Sequence, residues 1–385
     1  MHAFLQDLRY AGRQLLKSPG FAVLAVLTLA LGIGANAAMF TAVESVLLRP
    51  LRYANPGRLI SIGPAGVEGF GSTSWLNYRD VRDQAQTLQS AAGYSEDVGV
   101  VQGKDGSISV VTPGVTPNVF STLGARPLLG RTFTEEEGQK GGPQAVVLSE
   151  GLWRQQFGAD PAIIGKSVRV NAQARTVVGV MPGSFRFPET MGQDMGKGLW
   201  LPLQPNQSML TERGYHFFYI LAAMKPGVTV AQVNSELGTI TNRIRQIDPE
   251  NSRDLAFRAA SYQGLLTGSI RPVFIALMIA LGLVLLIGCA NVTNLLIARC
   301  LGRQQEFAVR AALGASRGRL LQQLIVEGGL LSVLGCAAGL ALANFAIDLV
   351  RKLPPDTFPR AEDIAIRWTM VAVLAVIATL TTILS

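Results

Sequence analysis

Two long stretches of this sequence contain no charged side chain, and a short charged segment lies between them. Residues 272–298 form the first stretch and residues 328–347 the second. Each can cross the hydrocarbon core of a bilayer, which is about 30 Å thick, as a helix that rises about 1.5 Å per residue. Residues 18–43 form a third uncharged stretch. Because it is longer than the apolar core of a cleaved signal peptide, we predict that it is retained as the first membrane span.

The charged segment between the second and third spans has a helical pattern. Arg299, Arg303, Glu306 and Arg310 recur at intervals of three or four residues, which places them in one row along a helix. An ion pair between such neighbours contributes only ~0.2–0.5 kcal/mol, so stability is a poor explanation for the row. A contact surface for a partner is one interpretation. Ordinary basic residues that hold a hairpin on the cytoplasmic side are the alternative.

The segment is predicted to turn sharply at residues 313–316. Gly314 can adopt the left-handed conformation that ends many helices, and Ser316 can cap the start of the next one. We therefore expect a helix, a tight elbow and a second helix. Such an elbow forms a compact projection beyond the membrane surface, a shape that suits contact with a soluble partner.

The distribution of Lys and Arg predicts the orientation of the chain. Residues 1–17 carry three basic residues and one acid, and residues 299–319 carry five basic residues and one acid. Because short cytoplasmic flanks are rich in Lys and Arg, we expect the N-terminus and the elbow inside the cell. Phe4, Leu8, Ala11 and Leu15 share one face of the first segment, which predicts an amphipathic helix along the inner leaflet.

The long segment 45–270 then falls outside, and its pattern predicts an α+β fold of one large or two smaller domains. Runs rich in Val, Ile or aromatic residues predict strands at 58–62, 98–101, 107–112, 144–148, 167–170, 175–180, 215–224 and 255–260. Capping residues and apolar periodicity predict helices at 75–86, 117–123, 149–157 and 229–247. Residues 135–137 are an exposed acidic run, and a solvated loop is favoured there over a metal site.

Small residues in the first and third spans suggest close helix packing. Gly32 and Gly34 lie with three alanines in the first span, and Gly335 and Gly339 form a small-xxx-small pair in the third. The seam joins either helices of one chain or two subunits, and small residues that lipid simply tolerates are the alternative for the first span. We expect the spans to carry no acidic or basic side chain, which argues against an ion-coupled carrier. Asn291 and Asn294 bond between helices or are solvated at the interface.

Two parts of the chain carry a resemblance to a known family. The inner segment contains NVTNLLIAR and GRQQEFAVRAALGASRGRLLQQLIVEGGLLSVLG, and the outer one contains VTPNVFSTLGARPLLGRTFTEEEG and AVVLSEGLWRQQFGADPAIIGKSVRVN. These resemble MacB/FtsX-type ABC transporter permeases, most closely the duplicated orphan permeases with a MacB-like periplasmic core domain. The resemblance implies that the elbow holds a coupling helix that contacts an ATPase through Arg303, Glu306, Arg310, Gly314, Ala315, Ser316, Arg317 and Arg319.

The expected architecture is an α-helical membrane protein of four spans with a large α+β extracytoplasmic domain inserted between the first and second spans. The segments are an interfacial helix (1–17), span 1 (18–44), a MacB-like periplasmic core domain (45–270), span 2 (271–298), the elbow (299–321), span 3 (322–350), a short external loop (351–367) and span 4 (368–385). The last span is short, so we expect a longer chain with a second permease half, which forms a pseudo-dimer, or else a homodimer.

Several chemistries are excluded by the residues present. The segment 160–167 has Asp where a phosphate-binding loop needs its first Gly, and only His2 and His216 are available for His-based metal sites. We therefore expect no enzyme activity, no cofactor and no metal in this chain. Of the net charge of +8, the segment 45–270 contributes 21 Lys/Arg and 18 Asp/Glu, so the excess lies on membrane flanks and not on a nucleic-acid surface.

These features predict a permease subunit of the mechanotransmission kind in the inner (plasma) membrane. ATP hydrolysis by a separate ABC ATPase would move the extracytoplasmic domain for export or efflux. An orphan membrane sensor or scaffold that recruits envelope proteins is the alternative, with the basic elbow serving only as a topology anchor. The lipid bilayer is a partner in both cases, and an envelope protein is a further possible partner.

Overall fold

The chain divides into two units, one of Met1–Arg49 with Ser269–Ser385 and one of Pro50–Gly268. The structure is a computed structural model that describes residues 2–45, 53–66, 69–104, 106–185, 187, 198–268, 271–302, 304, 309 and 317–351. The helices are α1 (His2–Lys17), α2 (Pro19–Val43), α3 (Trp75–Gln84), α4 (Val119–Leu123), α5 (Glu150–Phe157), α6 (Gln207–Thr211), α7 (Val230–Ile247), α8 (Pro249–Ser252), α9 (Tyr262–Gly268), α10 (Arg271–Gly302) and α11 (Arg317–Arg351). The strands are β1 (Leu59–Gly66), β2 (Gly69–Phe70), β3 (Leu88–Ser95), β4 (Val98–Gly103), β5 (Gly106–Val111), β6 (Gly114–Val115), β7 (Leu129–Gly130), β8 (Ala145–Ser149), β9 (Ser167–Val170), β10 (Gln173–Met181), β11 (Leu199–Pro202), β12 (Phe218–Met224) and β13 (Phe257–Ser261).

Three helices of the first unit are long and apolar enough to cross a membrane. They are Pro19–Val43, Arg271–Arg299 and Ile325–Val350. The fourth predicted span, residues 368–385, and the predicted external loop, residues 351–367, lie outside the described residues apart from Arg351. The third of these helices includes Glu327 and Asp348, which lie on either side of the uncharged stretch 328–347.

Helix α1 is amphipathic, and proline ends it. Ala11 and Leu15 are buried, whereas Arg9, Arg13 and Lys17 are exposed. Pro19 occupies the first turn of α2, where its missing N–H costs nothing because that donor has no helical partner in any case. The chain therefore closes one helix and opens the next within two residues.

Glycines bring α2 and α11 together within the chain. A Cβ atom on Gly34 would lie 2.8 Å from the carbonyl oxygen of Gly339, and one on Gly335 would lie 2.7 Å from Cβ of Leu29. Both distances are shorter than real Cβ contacts, so the two backbones approach as closely as they do only because these side chains are missing. The predicted seam is confirmed as an intramolecular one. Asn291 and Asn294 of α10 are exposed.

The second unit is built on one mixed sheet. The strand order is β13-β1-β12-β3-β6-β11-β8-β10-β9-β4-β5, with β2 paired to β1 and β7 paired to β10. The pairs β8–β10 and β6–β11 are parallel, and the other pairs of strands are antiparallel. The α+β prediction is confirmed, and a single sheet unites the segment.

Helices cover this sheet in the places that their caps and apolar faces predict. Ser74, Ser149 and Thr229 each accept a hydrogen bond from the backbone N–H three residues on, and Thr229 forms a full capping box with Gln232. Helix α7 buries Val233, Leu237, Ile240 and Ile244 in a core with β1, β3, β12 and β13, while α5 packs with β8 and β10 in another.

The sequence prediction misses β3 and β11, in addition to the two-residue strands β2, β6 and β7. Strand β3 reads LQSAAGYS, and such Ala, Gly and Ser content has low β-propensity. Glycine is nevertheless required at position 93, because a Cβ atom there would lie 2.1 Å from the ring of Phe218 on the neighbouring strand. Strand β11 has only four residues and ends in proline. The predicted strand 215–224 begins at Phe218 in the structure, and Tyr215 before it is exposed.

The acidic run at residues 135–137 is only partly exposed, which corrects the prediction of a solvated loop. Glu135 and Glu136 are exposed, but Glu137 retains 3% of its accessible surface. Its carboxylate accepts hydrogen bonds of 2.8 and 2.9 Å from the guanidinium of Arg131 and one of 2.8 Å from the backbone N–H of Thr134. A buried carboxylate needs such partners, so this glutamate is part of the fold.

Candidate functional site

The candidate site is the base of the predicted elbow, where α10 ends and α11 begins. Arg317 and Arg319 fall in the first turn of α11. The other six residues predicted to contact an ATPase, Arg303, Glu306, Arg310, Gly314, Ala315 and Ser316, lie outside the described residues. The structure therefore describes the two arms of the elbow up to Gly302 and from Arg317 onward.

Arg299, near the end of α10, links the two arms to each other. One of its terminal nitrogens lies 2.7 Å from Oε1 of Glu327 on α11. The side chains are 15% and 4% exposed, so this ion pair is largely buried. Charge-assisted hydrogen bonds of this length are among the strongest that proteins form. The pair therefore holds α10, three residues before its end, against the second to third turn of α11.

The same guanidinium also binds the end of α1. Its second terminal nitrogen donates to the backbone carbonyl of Gln14 at 2.8 Å. That carbonyl also accepts a hydrogen bond of 3.2 Å from the hydroxyl of Ser18, while the N–H of Ser18 bonds to the carbonyl of Leu15. The carbonyl groups at the end of a helix carry partial negative charge, which favours a cation there. Arg299 thus serves as the C-terminal cap of the N-terminal helix.

An aromatic ring completes the surroundings of Arg299. The carbon of its guanidinium lies 4.8 Å from the ring centre of Phe21, in the first turns of α2. A cation over an aromatic face is attracted by the ring quadrupole, most strongly where water is excluded. One arginine therefore contacts all four described helices of the first unit, through Gln14 of α1, Phe21 of α2, Glu327 of α11 and its own helix α10.

A second polar contact joins α2 and α10 farther along the helices. The side-chain amide of Asn36 donates to the carbonyl of Leu281 at 2.9 Å and to that of Gly32 at 2.8 Å. Around these contacts lies an apolar core that includes Leu29, Ile33, Val292 and Leu331. The helices are thus held by polar contacts at two heights and by apolar packing between them.

Of the residues in this junction, the sequence pattern singled out only Arg299. Glu327 could have been noticed as a lone acid at the edge of a long apolar stretch, next to Gly328 and Gly329. Gln14 takes part through its backbone carbonyl, which every residue has, so no side-chain pattern indicates it. Nothing in the junction resembles a catalytic set, and the described part of the chain contains no cluster of three His, Cys, Asp or Glu residues fit for a metal.

Comparisons with protein families place matches across most of the chain. A family model for the MacB-like periplasmic core domain matches residues 22–240. A second model, for the FtsX-like permease C-terminal region, matches residues 278–385. Arg299 and Glu327 of the junction described above lie in the second matched region, and Phe21 lies just before the first.

Curated proteins with similar sequences include macrolide export ATP-binding/permease proteins. The chain is 23% identical over 329 residues to a macrolide export ATP-binding/permease protein MacB of Bdellovibrio bacteriovorus, covering 83% of this chain and 50% of the relative. It is 26% identical over 272 residues to MacB 1 of Yersinia pestis, covering 69% and 40%. The chain thus spans about half the length of the curated relatives it matches.

Among solved structures, the periplasmic region of MacB from Actinobacillus actinomycetemcomitans aligns with a TM-score of 0.42 and 15% identity, covering 60% of this chain and 97% of that one. A domain of a putative permease protein from Porphyromonas gingivalis aligns with a TM-score of 0.43 and 16% identity, covering 54% and 92%.

Proposed function

The chain belongs to the family of MacB/FtsX-type ABC transporter permeases, and we propose that it acts by mechanotransmission. In this mechanism a separate ABC ATPase binds the elbow and displaces it when ATP is hydrolysed. The helices pass the displacement to the extracytoplasmic domain, which changes its affinity for a substrate or partner during export or efflux. A useful switch requires the two states to differ in that affinity by ~1–3 kcal/mol.

The observation that carries the proposal is the junction around Arg299. Two helices can transmit a displacement of the elbow only if they do not slide past each other near the point where the displacement is applied. The buried contact of 2.7 Å between Arg299 and Glu327 holds both arms of the elbow at their base. The bond from Arg299 to the Gln14 carbonyl adds the N-terminal helix to the same assembly.

The contact with the ATPase is proposed at the elbow itself. The residues assigned to it are those of the family's coupling helix and its turn: Arg303, Glu306, Arg310, Gly314, Ala315, Ser316, Arg317 and Arg319. Arg and Glu in the predicted helical row would offer charged hydrogen bonds to a soluble surface, and the turn that the sequence predicts at Gly314 and Ser316 would present them. Nucleotide binding and hydrolysis are assigned to the partner.

Co-purification tests this contact. The full-length protein, joined to any further part of its natural chain, is purified with the ABC ATPases of its source, and bound ATPase is measured. We expect Glu306→Lys to abolish the contact. Glu135→Lys makes the same charge change at an exposed position of the extracytoplasmic domain and should leave it intact. Absence of any bound ATPase, or equal binding by both variants, contradicts the proposal and leaves a sensor or scaffold as the better interpretation.

The proposed location is the inner (plasma) membrane, with the N-terminus and elbow in the cytoplasm. Single-cysteine variants test this orientation through reagents that do not cross the membrane. Arg310→Cys should react only after the cells are opened. Val170 is buried in β9, so a cysteine there would not report which side of the membrane it lies on. Exposed Arg169 on the same strand offers a direct alternative and should react in intact spheroplasts. The reverse pattern refutes the orientation.

The working assembly is proposed to contain two permease halves, either as a homodimer or as a pseudo-dimer with a second half in a longer chain. The names of the curated relatives join ATP-binding and permease functions in one protein, and this chain matches about half of their length. Cross-linking of the native complex followed by mass measurement distinguishes one, two or more halves. An envelope protein that meets the extracytoplasmic domain is the remaining proposed partner.

A further inference from the structure

A polar cleft in the extracytoplasmic domain lies apart from the elbow and has no role in the proposed coupling. It encloses about 410 Å³ between the β4–β5 hairpin and the strands β10 and β11. That volume falls within the range of roughly 300–1,000 Å³ typical of small-ligand sites. The lining includes Asp97, Thr112, Gln144, Gln173, Arg175 and Gln204. A cleft with so many polar groups suits a polar ligand.

Arg175 is the charged group that the fold leaves unsatisfied in this cleft. Its Nε is buried and has no hydrogen-bond partner within the described residues. One terminal nitrogen donates to Oε1 of Gln173 at 2.9 Å, and the ion pairs found in the described part of the chain do not include this arginine. Burial lowers the pKa of the guanidinium from its usual value. Arg175 as a whole is only partly buried, so an anion in the cleft can reach its terminal nitrogens and supply a counter-ion.

Two other groups in the lining restrict which class of anion the cleft can bind. The hydroxyl oxygen of Thr112 is buried without a hydrogen-bond partner among the described residues, and it also lines the cleft. The guanidinium edge of Arg175 offers parallel donors that match a planar carboxylate, and the Thr112 hydroxyl is a further donor in the same lining. Asp97, held by Ser95 Oγ at 2.7 Å, adds a negative charge to the lining. That charge disfavours a dianion such as a phosphate monoester.

We propose that this cleft binds a single carboxylate group on a polar molecule, through the guanidinium of Arg175 and the hydroxyl of Thr112. The side-chain amides of Gln144 and Gln173 then face the remainder of the ligand, where they can bond amide or hydroxyl groups. A small free carboxylate and the carboxylate of a peptide share this chemistry. The experiment below separates the two sources.

Isothermal titration of the full-length protein in nanodiscs tests the proposal. The probes are acetate, N-acetyl-triglycine with a free carboxylate, the same peptide as its C-terminal amide, and inorganic phosphate. We expect at least one carboxylate probe to bind with a Kd of ~1 mM or tighter, and the amide and phosphate to bind at least about tenfold more weakly. Equal binding of acetate and the peptide identifies a small-molecule site, and binding of the peptide alone identifies a peptide site.

Variants connect the binding to the named groups. Arg175→Gln should weaken carboxylate binding by at least about tenfold, because hydrogen bonds to a charged group are among the stronger ones. Arg245→Gln is the matched control, since Nε of Arg245 is also buried without a partner among the described residues but lies outside the cleft lining. Thr112→Val keeps the side-chain shape and should weaken binding severalfold. Its outcome remains informative if Arg175→Gln does not fold.

Three results overturn the proposal. The first is the lack of saturable binding by either carboxylate probe up to ~10 mM. The second is equal binding of the acid and amide peptides. The third is carboxylate binding that survives both Arg175→Gln and Thr112→Val while the proteins remain folded. None of these results bears on the elbow, so failure here is distinguishable from failure of the proposed coupling function.

Discussion

Replacing Glu327 by glutamine isolates the charge of the junction with almost no change in side-chain size. Two unit charges 2.7 Å apart attract by ~6 kcal/mol at an effective dielectric constant of about 20. Desolvation of each ion offsets several kcal/mol of this, so the net value of the pair is small. Removal of one partner is different, because it leaves the other charge buried, which typically costs ~3–5 kcal/mol. We expect a loss of ~3 kcal/mol, since Arg299 keeps the Gln14 carbonyl and the Phe21 ring.

The quantity to measure is the free energy of unfolding of the full-length protein in bicelles, for Glu327→Gln, Arg299→Gln and the double variant. A double-mutant cycle should return a coupling energy of ~2 kcal/mol between the two side chains. Arg13→Gln is the control, because Arg13 is an exposed cation of α1, and it should change stability by less than ~0.5 kcal/mol. A coupling energy below ~0.5 kcal/mol would refute the reasoning that this pair holds the arms together.

A hydrophobic replacement separates stability from transmission. Replacing a buried ion pair by apolar side chains of similar volume is often neutral or stabilising by ~1–4 kcal/mol. The double variant Arg299→Met/Glu327→Met should therefore fold at least as well as either single charge-removal variant. It cannot donate to the Gln14 carbonyl, so under the proposed coupling we expect it to bind the partner ATPase without stimulating ATP hydrolysis, as measured against the unaltered protein. Full stimulation in a stable double variant would show that the ion pair is not part of the transmission.

Further predictions concern packing and pH. Gly34→Leu should destabilise the protein by at least ~1–3 kcal/mol, because any Cβ atom there would lie 2.8 Å from the Gly339 carbonyl oxygen. Thermal unfolding measures the loss. Gly282→Leu is the control, because nothing lies within 4 Å of a Cβ atom at that position. Burial alone would raise the pKa of Glu137, but the bonds from Arg131 and the Thr134 N–H outweigh it and hold that pKa below its usual value. A depressed carboxyl pKa stabilises the fold above the unfolded pKa, and this contribution is lost as pH falls through the folded pKa. Glu137→Gln should therefore flatten the loss of stability in acid, whereas Glu135→Gln should not.

Much of the fold follows from local patterns in the sequence. The uncharged stretches locate α2, α10 and α11, and the cap residues Ser74, Ser149 and Thr229 locate three helix starts of the outer domain. These features depend on residues close together in the chain, which is why a pattern can indicate them. Strand β3 shows the limit of this approach. Its small residues are favourable only beneath Phe218, a neighbour more than a hundred residues away in the chain.

The junction could be predicted only in part, for the same physical reason. Arg299 belongs to a visible row of charges, but its partners come from three other helices. Glu327 becomes meaningful only when α11 lies beside α10, and the Gln14 carbonyl becomes a partner of Arg299 only when α10 lies beside the end of α1. Glu137 is the opposite case, in which the sequence suggests an exposed residue and the structure shows a buried one. Three glutamates in sequence indicate a solvated loop, and burial of one of them depends on the reach of Arg131.

The positions of these contacts determine how a displacement of the elbow would be transmitted through the helices. Phe21 and Asn36 lie on the same helix, about 20 Å apart at 1.5 Å per residue. The first is at the height of the Arg299 junction, and the second bonds α10 close to the glycine seam with α11. Helices fixed to each other at both heights resist sliding and bending, so a displaced elbow would move α2, α10 and α11 together. Since α2 and α10 are the helices that lead in sequence to the outer domain, that shared motion is the one the domain would receive.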